Sequence, residues 1–311
     1  FPYTTLFRSG LFARAIAQSA AFVYGPLGAL RVRRYGREPR EADGVRMGGT
    51  DLAALRALSA NELLARSTTH TDPMFADGFD YWPNVDGAVL PDEPWALLES
   101  GRFAHVPLII GTNADEGTVF VLDLPIKTAQ AWREHLGRRH PGAEAEVQAE
   151  YAASDSGVHD AAVRWVNDWY FHGSTRAVAR AVSAHGVPVF LYNFGRVPPG
   201  RRRSLGAFHS AEIAYVFGNG FEFGNGRRGF PAPFEDADRA LGHAMSGAWV
   251  QFTRTGDPNG PELPVWPRYE RSTDQHMDFG SEIRVGSGLH ARSLDVYDRA
   301  FAAMRKGNGT P

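Results

Sequence analysis

The sequence predicts an α/β protein built on a mostly parallel sheet, and three observations carry that prediction. Two short runs, Val106-Pro107-Leu108-Ile109-Ile110 and Val187-Pro188-Val189-Phe190-Leu191, are continuously apolar. Strands covered on both faces read this way, whereas half-exposed strands alternate. Long helical patterns lie between and after these runs, across residues 127–184 and from about Phe234 to Phe252. Strands separated by helices make a parallel sheet. Finally, 311 residues suffice for one large α/β domain or two average ones.

Composition narrows the function classes. Hydrophobic residues make up 43% and charged residues 22%, which excludes wholesale disorder, collagen and coiled coil. The net charge of −2 gives no clustered positive excess, so no nucleic-acid partner is expected. Cysteine is absent, which removes disulfides, thiolate metal sites and a cysteine nucleophile. No run of about 18 apolar residues is present, so no membrane-spanning helix is expected. Only Lys127 and Lys306 among the 33 basic residues are lysine, a bias that points to a GC-rich, bacterial coding sequence.

Taken in order, Phe1 to Ser9 lacks an initiator Met and any signal-peptide pattern and reads as adapter-like, non-native sequence. Residues 10–311 read as the C-terminal part of a single domain. Leu11, Ala15, Gln18 and Phe22 fall at helical spacing, which predicts a buried helix over about 10–22. Residues 31–49 are rich in Arg, Gly and Glu and read as an exposed excursion. Ser59-Ala60-Asn61-Glu62 is a capping box at a helix start. Each Pro sits near its strand's beginning, where a missing N–H is tolerated. Residues 127–184 form a helical, cap-like region. Gly256-Asp257-Pro258-Asn259-Gly260 stops the helix that begins near Phe234, and a last helix covers about Leu289 to Arg305.

Two loops can carry chemistry. Gly111-Thr112-Asn113-Ala114-Asp115-Glu116-Gly117 leaves the first strand, and the carboxyl ends of parallel strands are where sites form. Gly206-Ala207-Phe208-His209-Ser210-Ala211-Glu212 follows the second strand and enters a helix through Ile213, Tyr215 and Val216. By spacing alone, the first is as well explained by solvated acids on a turn, and a lone His is more often packed than catalytic. The order lifts both. The α/β-hydrolase triad runs Ser, acid, His along the chain, and Glu116 and His209 fit the last two places. The first place is empty: the chain has no Gly-x-Ser-x-Gly and no His-Gly-Gly-Gly.

The order of blocks resembles the type-B carboxylesterase family, which includes the cholinesterases and bacterial para-nitrobenzyl esterases. Gly10 to Ser19 looks like the helix after that family's nucleophile turn. Pro83-Asn84-Val85-Asp86-Gly87 with Leu90-Pro91, then Gly111 to Gly117, look like its mid-chain blocks. Gly206 to Gly218 resembles its catalytic-His block, and Gly256 to Gly260 with Pro264-Val265-Trp266-Pro267 its C-terminal signature. The resemblance implies an α/β-hydrolase fold whose early strands lie outside this chain. It implies ester hydrolysis through an acyl-enzyme, with Glu116 as triad acid and His209 as triad base. Val119 and Phe120 match substrate-pocket positions, and Glu212 matches a buried acid supporting the base's loop. The Ser and the oxyanion loop would belong to a preceding half, so this chain by itself would be inactive. No cofactor and no metal is implied, and the expected partner is a small carboxylic ester.

Three rivals compete with that expectation. A catalytically silent relative could serve as a binding or adhesion module, since folds outlive their chemistry. His209 and Glu212, three apart, could hold a metal, although no third ligand of suitable spacing accompanies them. A plain α/β domain without a site is the third.

Overall fold

The computed structural model describes residues 10–19, 27–33, 38–67, 83–200, 203–219 and 234–307, with side chains to residue 303. The adapter-like reading of residues 1–9 falls outside the described residues. The elements are β1 (Ala15–Gln18), α1 (Arg40–Gly48), α2 (Leu52–Ala57), α3 (Ala60–Ser67), α4 (Pro94–Glu99) and β2 (Leu108–Asn113). Then come α5 (Ala129–Arg139), α6 (Glu144–Glu150), α7 (Val158–Val166), a π-helical turn (Asn167–His172), α8 (Gly173–Ala184) and β3 (Val189–Phe194). The chain continues with α9 (Ile213–Phe217), α10 (Asp236–Thr255), β4 (Gln275–Phe279), β5 (Ile283–Ser287) and α11 (Ala291–Gly307).

The five strands form one sheet in the order β1-β2-β3-β4-β5. The first four run parallel and β5 returns antiparallel on β4, the mostly parallel α/β sheet that the sequence predicts. Alternate residues of the central strands face opposite layers. Ile109, Phe190, Tyr192 and Phe194 pack with Met277 and Phe279 against Leu241, Met245, Trp249 and Phe252 of α10. Leu108, Ile110, Val189 and Leu191 pack on the other face against Val178 and Val182 of α8 and Tyr297 and Phe301 of α11. Because both faces are covered, β2 and β3 are buried at every position, which is why their runs do not alternate.

Of residues 10–22, expected as a buried helix, the described 10–19 instead contain strand β1, whose register pairs Ala15 with Leu108 and Gln18 with Gly111. Phe22 lies outside the described residues. A short apolar run of small residues fits a buried helix and a buried strand equally well by periodicity, and pairing with β2 decides the matter. Both prolines precede their strands rather than sitting inside them, and each strand runs three residues further than its apolar run. The excursion at 31–49 holds helix α1, none of whose residues is buried.

Other local signals work as the sequence suggests. Ser59 and Glu62 exchange hydrogen bonds at the start of α3, with the Ser59 N–H donating to Glu62 Oε2 at 2.8 Å. Glu235 and Asp238 cap α10 reciprocally, and Gly256 ends it at φ +83. Asn259 of the following turn accepts from the Trp266 N–H at 2.6 Å, and the buried Trp266 indole donates to the Leu191 carbonyl at 2.9 Å. That turn is therefore fastened to the central sheet. The helices of 127–184 share a core with α11, through Trp132, Leu136, Trp165, Val296 and Ala300.

Candidate active site

β1, β2 and β3 all end at the same edge of the sheet, and the candidate residues gather there. β2 runs through Asn113, then Ala114 and Asp115 lead into a single 3-10 turn, Glu116–Val119. The loop after β3 returns across this edge carrying His209. Asp115 joins the two loops. Its N–H donates to the Ala207 carbonyl at 3.1 Å, and its carboxylate accepts from the Ala207 N–H at 2.8 Å. Thr118 adds a hydroxyl bond to the Leu205 carbonyl at 2.9 Å. Gly206 stands at φ +70 in this seam, and a Cβ there would collide with the Asp115 carboxylate, so the position requires glycine.

Within this frame, Glu116 Oε2 lies 2.5 Å from His209 Nδ1. A carboxylate partner puts the proton on Nδ1, so the imidazole donates. Glu116 is fully buried, and its other oxygen accepts from the Asn113 N–H at 2.7 Å and the Ser19 hydroxyl at 2.5 Å. The His209 side chain keeps 32% exposure, and its Nε2 has no hydrogen-bond partner among the described residues. The rings of Phe120 and Phe171 flank it at 5.2 and 5.1 Å. Partial burial opposes the imidazolium, but the Glu116 hydrogen bond and charge, with the Glu212 charge behind them, outweigh it and raise the His209 pKa above its ordinary value.

Glu212 is buried at 2% exposure behind this pair. It accepts from Asn113 Nδ2 at 2.5 Å and Gln18 Nε2 at 3.0 Å. Desolvation and the nearby Glu116 charge raise its carboxyl pKa. Asn113 therefore touches both acids, and its Nδ2 also donates to the Phe208 carbonyl at 2.8 Å. Glu212 is thus held by Gln18 and Asn113, and His209 Nδ1 by Glu116.

Of the residues singled out from sequence, Glu116, His209, Phe120 and Glu212 meet in this cluster. Val119 ends the same 3-10 turn and packs on the sheet–α10 core. The sequence did not single out Ser19, Asn113 and Phe171. Ser19 and Asn113 sit at the carboxyl ends of β1 and β2, a position that marks them once the strands are known. Phe171 comes from the π turn, from which Asn167 Oδ1 also accepts the Gly117 N–H at 2.5 Å. Ser19 has φ +51 directly after a strand, the outward form of a nucleophile turn. Its hydroxyl, however, meets the acid and not the outer nitrogen of the imidazole.

Comparison with known proteins gives this arrangement its context. A family model described as "Carboxylesterase family" matches residues 3–297. Fumonisin B1 esterase of Sphingopyxis macrogoltabida is 34% identical over 258 residues, covering 80% of this chain and 46% of that protein. Carboxylesterase 4A of Bos taurus is 27% identical across 95% of this chain and 57% of its own length. Para-nitrobenzyl esterase of Bacillus subtilis (strain 168) is 32% identical, covering 66% of this chain and 40% of its own. The chain thus spans about half the length of the curated relatives it matches.

Proposed function

The chain belongs to the carboxylesterase family, and from that premise we propose that it supplies the acid and the base of a serine carboxylesterase, Glu116 and His209. The observation that carries this reading is the 2.5 Å contact from buried Glu116 to Nδ1 of His209, with Nε2 left open on the partly exposed side. An imidazole held in one tautomer with its outer nitrogen available is the geometry a general base needs.

The nucleophile in this proposal is a serine outside these 311 residues, because they contain no Gly-x-Ser-x-Gly. Support comes from two further observations. The edge of β1 away from β2 has no partner among the described residues, so additional strands have a place to pair. The Ser19 hydroxyl, at the end of β1, is engaged with Glu116 Oε1.

His209 Nε2 takes the proton from the attacking hydroxyl as the Ser oxygen bonds to the ester carbonyl carbon. The imidazolium so formed is stabilised by Glu116, then gives its proton to the departing alcohol. Water repeats the sequence on the acyl-enzyme and releases the acid. Backbone N–H groups of the same absent region hold the oxyanion, each worth about 3–4 kcal/mol. Phe120 and Phe171 wall the imidazole, so they bear on the acyl or alcohol group lodged beside it. The 311 residues alone are then inactive. The arginine bias and the bacterial relatives support a bacterial source.

The test is hydrolysis of short para-nitrophenyl esters by the full-length protein. His209→Ala is expected to lose about 10⁴-fold or more in kcat with the fold intact by circular dichroism. Normal turnover by that variant would overturn the assignment.

A further inference from the structure

We propose that Asp168, His172 and His290 form a binding site for one divalent transition-metal ion of the zinc type, separate from the Glu116–His209 pair. The run from α7 to α8 widens into its π turn at Asn167–His172, and the residue before α11, His290, approaches that turn. Asp168 Oδ1 lies 3.4 Å from His172 Nδ1 and 3.8 Å from His290 Nδ1. All three ligand atoms fall within 4.8 Å of one another. Ligands about 2.0–2.1 Å from a tetrahedral zinc stand roughly 3.3–3.4 Å apart, so small side-chain adjustments bring this set to that spacing.

Two of the three atoms are otherwise unused. Asp168 and His172 are 3% and 2% exposed, and neither Asp168 Oδ1 nor His172 Nδ1 makes a hydrogen bond among the described residues. Among the described residues no Lys or Arg pairs with Asp168, so the basic groups its buried carboxylate faces are the imidazoles of His172 and His290. The remaining atoms of both side chains are already anchored. His172 Nε2 lies 2.9 Å from the Asn113 carbonyl, to which it donates, which leaves Nδ1 as the nitrogen facing Asp168 and, once deprotonated, able to ligate. The Tyr151 hydroxyl donates to Asp168 Oδ2 at 3.1 Å. A ligating imidazole with its other N–H on a backbone carbonyl, and a hydrogen-bonded ligating carboxylate, are the outer-shell partners that metal sites use.

His290 completes the set with its backbone at φ +50, a conformation that aims its ring at the His172 ring, 4.7 Å away. Its side chain is 40% exposed, which leaves a solvent-facing fourth position for water. Two imidazoles and one carboxylate suit zinc and its transition-metal neighbours rather than the all-oxygen preference of calcium or magnesium. The ion would pin the π turn to the start of α11. It would also buttress the active site through one residue, since Asn113 accepts from His172 and donates its own N–H to Glu116.

The experiment takes the full-length protein, strips it with a chelator, and titrates it with Zn²⁺ by calorimetry and with Co²⁺ by visible absorption. The expected result is one high-affinity equivalent per chain and the intense d–d bands of a four-coordinate Co²⁺ site. His290→Ala, at a part-exposed position, is expected to weaken affinity about 100-fold or more, since even outer-shell losses cost 10–100-fold. Asp168→Asn, which keeps the shape and the Tyr151 contact, tests the site without emptying it. His243→Ala, at an exposed His–Glu pair, serves as the control and should change nothing. No stoichiometric binding, octahedral Co²⁺ bands, or affinity unchanged in both His290→Ala and Asp168→Asn would overturn the proposal.

Discussion

Asp115 and Ala207 bind each other twice, backbone N–H to carbonyl and carboxylate to backbone N–H, across 92 residues of chain. This double contact sets the distance between the loop bearing Glu116 and the loop bearing His209. Asp115→Ala leaves the Ala207 N–H without its side-chain partner and should cost about 1–3 kcal/mol of stability. The same variant should lower kcat at least tenfold while KM changes little, because the acid–base pair loses alignment. Thermal melts and steady-state kinetics on the full-length protein check both effects.

With His209 as the proposed base, its raised pKa should set the acidic limb of the rate profile. Hydrolysis needs the neutral imidazole, so the limb should lie above the pH at which an ordinary histidine titrates. Glu116→Gln removes the charge that favours the imidazolium. The limb of the residual activity should therefore move to lower pH, while kcat falls on the order of 10⁴-fold. A pH profile whose limb stays in place would show that Glu116 does not govern His209.

Ser19 offers a sharp distinction between two roles. Bound to Glu116 Oε1, it positions the acid, and Ser19→Ala should reduce kcat by about tenfold. Were it the nucleophile, the loss would be on the order of 10⁶-fold. Labelling with an organophosphate and mapping the adduct by mass spectrometry should find the label on a different serine.

Phe120 stacks on Phe171 at 5.6 Å, and both rings face His209. Phe120→Ala opens space beside the imidazole. The expected outcome is a shift in kcat/KM toward bulkier esters, by roughly 10–100-fold relative to acetate esters, the scale of one or two methylenes in an apolar pocket. A series of para-nitrophenyl esters of increasing acyl length measures it.

The meeting of Glu116 and His209 was legible in the sequence because each follows an apolar run and they come in hydrolase order. What holds them was not. Gly111, Thr112 and Asn113 look like loop residues, yet they finish β2. Gly111 is there because a Cβ would strike the Tyr192 ring on β3, and such a contact is invisible before the strands pair. The β4–β5 hairpin also went unread, although Met277 and Phe279 alternate inward with polar neighbours. That two-residue period was available, but over five residues it is faint against intervening His and Asp. The helical reading of residues 10–22 failed for the converse reason. Small residues satisfied a helix, and only the register with β2 excluded it.

Glu116, itself fully buried, receives three donors, from Ser19, Asn113 and His209. Its carboxylate thus has almost no freedom to rotate as positive charge appears on the imidazole. Solvent dipoles would have to reorient at that moment in an open site, and their lag would add to the barrier. In the proposed reaction the reorientation is completed during folding, before any ester arrives. Loosening any one of the three donors should therefore show first as a larger reorganisation energy at His209, even where the pair still meets in the resting structure.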